Sequence, residues 1–381
     1  MSYSLSKEQV TIRESIIKFA LRELNSNLME NEEKGYFPRD KWKKCCEMGL
    51  IALLAPQEYG GCGEDLSTLL HALQALSYAC KDTGLVHSIV TQIVCLKKIA
   101  LYGTESQKQM YLPPISKGEK IAAQAVSEPE AGSDVLSMRT KAIKSKDTFI
   151  LSGTKTFVSN APLADVILVL AVTNPERRQF GGISCFIVEK DTNGCSSGKP
   201  FDKMGLRTLQ LGELFFDECS IPTANLLGRE GQGMIIFNEL IEWERALLSA
   251  VHLGTMERVL ESCLKYAKTR IQFGHSIGKF QSISNKIADM KINIELGKLI
   301  LHKISWLKKH KKRATLESSI GKLFISEALK KACTEAVQIH GGYGYMKEYE
   351  VERDLRDSIA STIYSGTSEL QKNIISTLAG L

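Results

Sequence analysis

Apolar side chains recur at helical spacing in the first and last parts of the chain, and in short runs between them. The first helix is predicted after a capping box that begins at Ser6, and two more are predicted over 66–78 and 86–101. The middle part has short β-rich runs separated by Gly, Pro, Asn and Asp, and the last part has no proline and an apolar period near 3.6. This order predicts an α+β protein with a helical domain, a small β-barrel or sandwich and a bundle of long helices. The predicted domains are 1–118, 119–227 and 228–381.

Four segments of the middle part carry the strand pattern. Residues 149–158 have the composition of a hairpin, and 166–172 is a continuous apolar run of the kind found in buried strands. The segments 183–188 and 213–216 are shorter and β-rich. Together they predict a compact, all-β domain.

One helix of the last part has a carboxylate on its apolar face. Glu244 lies one turn from Leu240 on one side and from Leu248 on the other, within an apolar stripe. The stripe consists of Ile236, Leu240, Trp243, Leu247, Leu248 and Val251. A buried carboxylate is costly unless it is paired, and burial raises its pKa and makes it a better proton acceptor. The helix alone leaves two interpretations open: a structural ion pair with an Arg, or a catalytic base.

Composition narrows the class of protein. With 43% hydrophobic and 24% charged residues, the sequence is that of an ordinary globular protein. The N-terminus has no apolar segment of the signal-peptide type, and no run of about 18 apolar residues is recognised, so neither secretion nor a membrane span is expected. The ten cysteines are scattered without metal-ligand spacing. We therefore expect a cytoplasmic protein without a metal site.

The formal net charge of +6 is mild, and its densest run is 308–313. Such a run is typical of a solvated helix end, and an acidic protein partner is the alternative. Aromatic residues are not interleaved with the charges, which argues against nucleic acid as a partner.

A polar turn opens the β-rich part. The segment Ser127–Asp134 is rich in hydroxyls and backbone N–H groups, which suits the edge of a heteroaromatic ring or a phosphate. No Rossmann or Walker A glycine pattern is present, and no Glu-x-x-His pair of a di-iron bundle occurs. A nucleotide cofactor would therefore be bound by another type of site.

Over nearly its whole length, the chain resembles the acyl-CoA dehydrogenase family. The matching segments are 125–134, 155–160, 270–274, 338–344, 353–357 and 364–369. The resemblance implies an N-terminal helical domain, a central β domain and a C-terminal four-helix bundle. It also implies a homotetramer, with FAD between the β domain and the bundle and completed by a neighbouring subunit.

The same resemblance implies roles for individual residues. The residues along the flavin ring and its ribityl chain would be Gln124, Val126, Ser127, Ser133, Phe157 and Ser159. The residues that reach the pyrophosphate and adenine across the subunit interface would be Arg270, Phe273, Gln281, Gln338, Gly341 and Gly342. The segment near the adenosine diphosphate would contain Thr367 and Glu369. The implied substrate-binding residues are Ser133, Arg245 and Tyr364.

One position departs from the family pattern. Many members carry the catalytic Glu directly after the Tyr, where this chain has Ser365. A serine is too weak a base to replace it unaided. Other members, of the isovaleryl and long-chain type, place the Glu just before a bundle-helix Arg, and here that residue is Glu244 before Arg245. The resemblance therefore favours Glu244 as the base.

Three segments resemble the prolyl-carrier-protein dehydrogenases within this family: 160–165, 243–246 and 357–368. This implies oxidation of L-prolyl held on an acyl or peptidyl carrier protein, giving a pyrroline or pyrrole thioester for natural-product biosynthesis. The basic run at 308–313 would suit an acidic carrier protein. Two alternatives stay open: an acyl-CoA dehydrogenase of branched-chain catabolism, and a flavin-binding scaffold without turnover.

Overall fold

The N-terminal part of the computed structural model, which describes residues 5–381 except the side chain of Gln179, is helical. Its helices are α1 (Lys7–Glu23), α2 (Leu28–Lys34), α3 (Arg39–Glu47), α4 (Leu66–Ala79), α5 (Thr83–Tyr102) and α6 (Glu105–Ser116). The predicted capping box of α1 is confirmed. The Ser6 hydroxyl accepts a hydrogen bond from the Gln9 N–H at 3.2 Å, and the Gln9 amide oxygen accepts one from the Ser6 N–H at 3.1 Å.

Helix α5 corrects one expectation from the sequence. By length and composition alone it is long and apolar enough to cross a membrane, although the sequence analysis predicts no membrane span. However, 83% of its most apolar window is buried inside the protein, where it packs on α6, on α7 (Gly233–Thr269) and on β1 (Ala122–Ala125). A core helix buried on all sides has this composition for the same physical reason as a membrane helix.

The middle part forms one eight-stranded sheet. Its other strands are β2 (Lys141–Ser145), β3 (Thr148–Ser159), β4 (Val166–Val172), β5 (Ile183–Glu189), β6 (Cys195–Ser197), β7 (Leu211–Pro222) and β8 (Leu226–Leu227). The strand order is β6-β7-β3-β2-β4-β5-β8, and β1 pairs with β4 in parallel. Strand β4 is buried along its whole length, as its apolar run predicts. A separate apolar core of the β domain packs around Phe149 and Phe186.

The predicted hairpin over 149–158 is wrong, because these residues belong to the single long strand β3. The turn lies before it, at Lys146 and Asp147, between β2 and β3. Gly153 misled the prediction because it occupies a bulge rather than a turn: the register against β7 shifts between Leu151 and Gly153. A Cβ atom at Gly153 would lie 2.6 Å from the Thr140 hydroxyl, so the bulge requires glycine.

Long helices form the last part of the chain, as predicted. Helix α7 has 37 residues, α8 is Gln281–Lys309 and α9 is Thr315–His340; the three pack side by side. The shorter α10 (Val351–Ser361) and α11 (Ser368–Leu378) pack against α9. A short hairpin of β9 (Ile271–Gln272) and β10 (His275–Ser276) follows α7. The predicted α, β, α order is thus confirmed, whereas the domain limits at 118 and 227 stay predictions.

Asp357 on α10 joins the bundle to the β domain. Its carboxylate accepts a hydrogen bond from the Leu206 N–H at 2.6 Å and is 6% exposed. Burial, reinforced by the nearby carboxylate of Glu32, raises the pKa of Asp357 to about 7. The raised pKa means that the folded protein binds the proton more tightly than the unfolded chain. This contribution to stability is therefore full below the ordinary value of 3.8 and is lost as pH rises to about 7.

We expect Asp357→Asn to be as stable as the wild type near pH 4 and more stable at pH 8, because the amide needs no proton to remain neutral. Thermal midpoints measured from pH 4 to pH 8 check this. Asp354→Asn is the matched control on the same helix: Asp354 pairs with Arg258 at 2.8 Å, so its loss should lower the midpoint. A constant difference between Asp357→Asn and the wild type at every pH would contradict the expectation.

Candidate active site

Glu244 lies where three elements of the fold meet. It is partly buried on α7, and its stripe neighbours Leu240 and Leu248 are 0% and 2% exposed. Its Oε2 accepts a hydrogen bond from the Gln124 side-chain amide of β1 at 2.5 Å. Its Oε1 accepts one from the Ser365 hydroxyl, in the loop between α10 and α11, at 2.5 Å. The sheet, the long helix and the last loop thus converge on one carboxylate.

The side chain of Arg245 does not pair with Glu244. Its Nε donates to the backbone carbonyl of Ser365 at 3.1 Å, and its Nη1 donates to the Ser319 hydroxyl at 3.2 Å. Burial lowers the pKa of Arg245. Glu244 has no salt bridge within 4.0 Å in the described part of the chain. The structural interpretation of Glu244, an ion pair with an Arg, is therefore not supported.

Backbone geometry aims Ser365 at Glu244. Ser365 has a φ of 54° and Gly366 a φ of 93°, so the chain turns sharply through the left-handed region. The Gln371 amide donates to the carbonyls of Ser365 and Gly366 at 3.2 and 3.0 Å. A Cβ atom at Gly366 would lie 2.5 Å from that amide nitrogen and 3.3 Å from Arg245. Arg245 and Gln371 therefore hold the loop in one conformation.

Tyr364 packs against two histidines that the sequence did not single out. Its hydroxyl forms a hydrogen bond with His252 Nε2 at 2.7 Å, and its ring lies edge-on to His87 at 4.8 Å between centroids. Burial lowers the pKa of His252 to about 3 and that of His87 to about 4, and it raises the pKa of Tyr364. All three groups are therefore neutral near pH 7. The predicted substrate role of Tyr364 stays a prediction.

A buried ion pair positions the start of the β domain. Lys155 Nζ lies 2.8 Å from Glu128 Oε1 and donates to the Val126 carbonyl at 3.0 Å, and neither charged side chain is more than 6% exposed. Glu128 also accepts hydrogen bonds from the backbone N–H groups of Arg139 and Thr140 at 2.6 and 2.9 Å. This pair fixes the backbone of 126–128 against β3.

Most residues predicted along the flavin ring lie around this ion pair. The Ser127 carbonyl accepts a hydrogen bond from the Thr156 N–H at 2.9 Å, which places Val126 and Ser127 beside Phe157 and Ser159 on β3. Phe157 has a φ of 54° and is 67% exposed, so an aromatic face is open at the surface. Ser133 is exposed in the turn that follows. The side-chain amide of Gln124 is bonded to Glu244, and its predicted place along the flavin stays a prediction.

The residues predicted to reach the pyrophosphate and adenine form a second cluster at the far end of α7. Arg270 caps that end and lies 5.7 Å from the Tyr343 ring, and Phe273 is 91% exposed. A Cβ atom at Gly341 or Gly342 would meet no atom within 4 Å. Gln281 and Gln338 are exposed as well. Open backbone, an exposed ring and an exposed guanidinium suit a dinucleotide with an aromatic base.

The second cluster lies far along α7 from Glu244. Glu244 and Arg270 are 26 residues apart on this helix, which corresponds to about 39 Å at 1.5 Å per residue. Thr367 and Glu369 follow the loop in which Ser365 contacts Glu244: Thr367 accepts a hydrogen bond from the Leu370 N–H at 3.2 Å and caps α11, and Glu369 is exposed in its first turn.

Three family models match the chain in sequence. They are the N-terminal domain of acyl-CoA dehydrogenase over residues 6–119, its middle domain over 123–219 and its C-terminal domain over 231–379. Among curated relatives, a probable acyl-CoA dehydrogenase YngJ of Bacillus subtilis is 38% identical over 98% of both chains. An L-prolyl-[peptidyl-carrier protein] dehydrogenase of Pseudomonas fluorescens is 40% identical over 91% of both.

Solved structures give the same result. The prolyl acyl carrier protein oxidase AnaB is 44% identical, with a TM-score of 0.97 over 99% of this chain and 100% of AnaB. PigA, solved with FAD and proline, is 34% identical, with a TM-score of 0.97 over 100% of both chains. The chain therefore belongs to the acyl-CoA dehydrogenase family, whose members are FAD-dependent oxidoreductases.

Proposed function

We propose that this protein oxidises an L-prolyl thioester held on an acyl or peptidyl carrier protein, with Glu244 as the base that takes the Cα proton. The observation that carries this proposal is the state of Glu244: a partly buried carboxylate without a cationic partner, held by two neutral donors. A structural carboxylate on an apolar face would be paired. A base needs a free lone pair and a fixed direction instead.

The two donors orient the base without neutralising it. A carboxylate has about four lone-pair directions, and the amide of Gln124 and the hydroxyl of Ser365 occupy two of them. The remaining directions are available for the Cα proton of a thioester, whose carbonyl acidifies that carbon. The proton passes to Glu244, and the electron pair left on Cα forms the new double bond as hydride leaves the adjacent atom.

The residues present fit FAD. Val126, Ser127, Phe157 and Ser159 would hold it beside Glu244, with Ser133, Thr367 and Glu369 nearby. FAD, when bound, supplies the acceptor for the hydride. Because the cluster around Arg270 lies about 39 Å away along α7, it would complete the site of a second copy. We therefore propose a homo-oligomer, a tetramer as in the family pattern, acting in the cytoplasm.

The prolyl substrate is supported by the relatives rather than by the pocket. AnaB and the Pseudomonas fluorescens enzyme are named for prolyl carrier proteins, and PigA was solved with proline. The basic run at 308–313 gives weaker support for an acidic carrier protein than its charge suggests. Lys308 is partly buried and paired with Glu242, and Lys312 lies over the Trp306 ring at 5.2 Å. Oxidation of an acyl-CoA, as the name of the Bacillus subtilis relative implies, is the second candidate.

An anaerobic substrate panel tests the proposal. The flavin absorbance should be bleached by prolyl-loaded carrier protein and not by unloaded carrier protein or by isovaleryl-CoA. Mass spectrometry of the carrier protein should then show loss of two or four hydrogens, which distinguishes a pyrroline from a pyrrole. Rapid bleaching by isovaleryl-CoA, with none by prolyl-loaded carrier protein, would favour the acyl-CoA dehydrogenase. No bleaching by any thioester would indicate a scaffold without turnover.

A further inference from the structure

Lys98 is a buried cation that no carboxylate contacts directly. It lies on α5 between the buried residues Cys95 and Ile99 and is 4% exposed. Its ammonium donates to the side-chain carbonyl of Gln124. No Asp or Glu oxygen of the described residues lies within 4.0 Å of it. Because a buried charge without an anion costs several kcal/mol, this position needs a compensating negative charge nearby.

Gln124 connects Lys98 to that charge. A lysine ammonium only donates hydrogen bonds, so it must face the amide oxygen of Gln124, and the amide nitrogen must face away. The nitrogen donates to Glu244 Oε2 at 2.5 Å. Reversing the amide would set its nitrogen against an ammonium and its oxygen against a carboxylate. Lys98 therefore fixes which end of Gln124 meets Glu244.

We propose that Lys98 is a positioning residue that acts through Gln124 to hold the Glu244 carboxylate in its reactive direction when substrate excludes water. This inference rests on the proposed role of Glu244 as the base. The amide between Lys98 and Glu244 keeps the ammonium off the carboxylate oxygens, so those oxygens stay free to accept a proton.

The pH dependence of kcat/KM with prolyl-loaded carrier protein tests the inference. Lys98→Met should move the acid limb to higher pH by about one unit, because the carboxylate loses a nearby cation and an oriented donor. Gln124→Met should move it in the same direction, and the double variant no further than the larger single shift. Lys97→Met is the matched control. Lys97 is the neighbouring lysine, and its ammonium lies 4.7 Å from the Trp243 ring instead of on Gln124.

The outcomes distinguish a positioning role of Lys98 from a structural one. They also distinguish failure of the inference about Lys98 from failure of the proposed role of Glu244. A structural role for Lys98 would lower the thermal midpoint, or kcat/KM equally at every pH, and leave the acid limb in place; that result overturns the inference. If Lys98→Met does not fold, Gln124→Met, which keeps the Lys98 charge, tests the inference by the same shift of the acid limb. A wild-type profile without an acid limb overturns the role of Glu244 itself, and the inference with it. The same shift in Lys97→Met would show a general charge effect and overturn the specific link.

Discussion

Glu244→Gln should lower kcat by about 10³-fold while leaving bound FAD and the thermal midpoint close to those of the wild type. The amide has the size of the carboxylate; its oxygen can still accept the Gln124 hydrogen bond, and its N–H can donate to the Ser365 hydroxyl, which also accepts. It cannot take a proton from Cα. Stopped-flow bleaching of the flavin by prolyl-loaded carrier protein measures the loss directly, because it reports the chemical step and not the release of product.

Glu239→Gln is the matched control for this variant. Glu239 lies on the same helix, is exposed and accepts a hydrogen bond from the Tyr102 hydroxyl, so the same substitution can be made there. It should keep kcat within about twofold, since surface substitutions rarely change more than local contacts. If Glu244→Gln bleaches the flavin as fast as Glu239→Gln does, another group takes the proton and the assignment of Glu244 is wrong.

The contact between Ser365 and Glu244 permits a second and stricter test. A glutamate at 365 would start from the left-handed backbone that already directs the serine hydroxyl to Glu244. In the Glu244→Gln variant, we expect the additional substitution Ser365→Glu to raise kcat at least about tenfold, because the new carboxylate can occupy the position of the lost one. Failure of the rescue with intact FAD binding would mean that the two positions are not interchangeable in this chain.

The sequence could predict the base candidate but not the contacts that define it. Periodicity identified Glu244 as a polar residue in an apolar stripe, and the burial of Leu240 and Leu248 confirms that stripe. Its donors are 120 and 121 residues away along the chain. Only tertiary structure brings such residues together, so no local period indicates them. Ser365 was singled out as a missing acid, and the structure places it against the residue expected to replace that acid.

Other residues of the site could not be predicted from the sequence, for a different reason. Lys98 lies in an apolar helix where a lysine gives no periodic signal, and its role depends on the amide of Gln124. His87 and His252 have no sequence pattern of their own, and their contact with Tyr364 arises from packing. Composition predicts which residues are buried better than it predicts which buried polar groups meet.

The Lys155–Glu128 pair should give the largest effect on stability. Glu128→Gln should lower the free energy of unfolding by about 3–5 kcal/mol, because it leaves a lysine that is 0% exposed without an anion. It also sets an amide N–H against one of the two backbone N–H donors of Arg139 and Thr140. Urea denaturation of the FAD-bound protein at pH 7 measures the change. FAD should be lost at lower urea, since the pair fixes Val126 beside the predicted flavin site.

Lys155→Met separates the contribution of the ion pair to the free energy of unfolding from the contributions of the two side chains alone. Glu128 would keep both backbone donors, so this variant should cost less than Glu128→Gln, and the double variant should cost less than the sum of the two. Burial opposes ionisation of Glu128, but Lys155 and the backbone donors outweigh it and lower its pKa below 4.5. The stability gap between wild type and Glu128→Gln should thus be full above pH 4.5 and shrink as pH falls through the lowered pKa. Equal costs for the two single variants at pH 7, with simple additivity in the double variant, would mean that the two charges act independently and that the ion pair does not fix the 126–128 backbone.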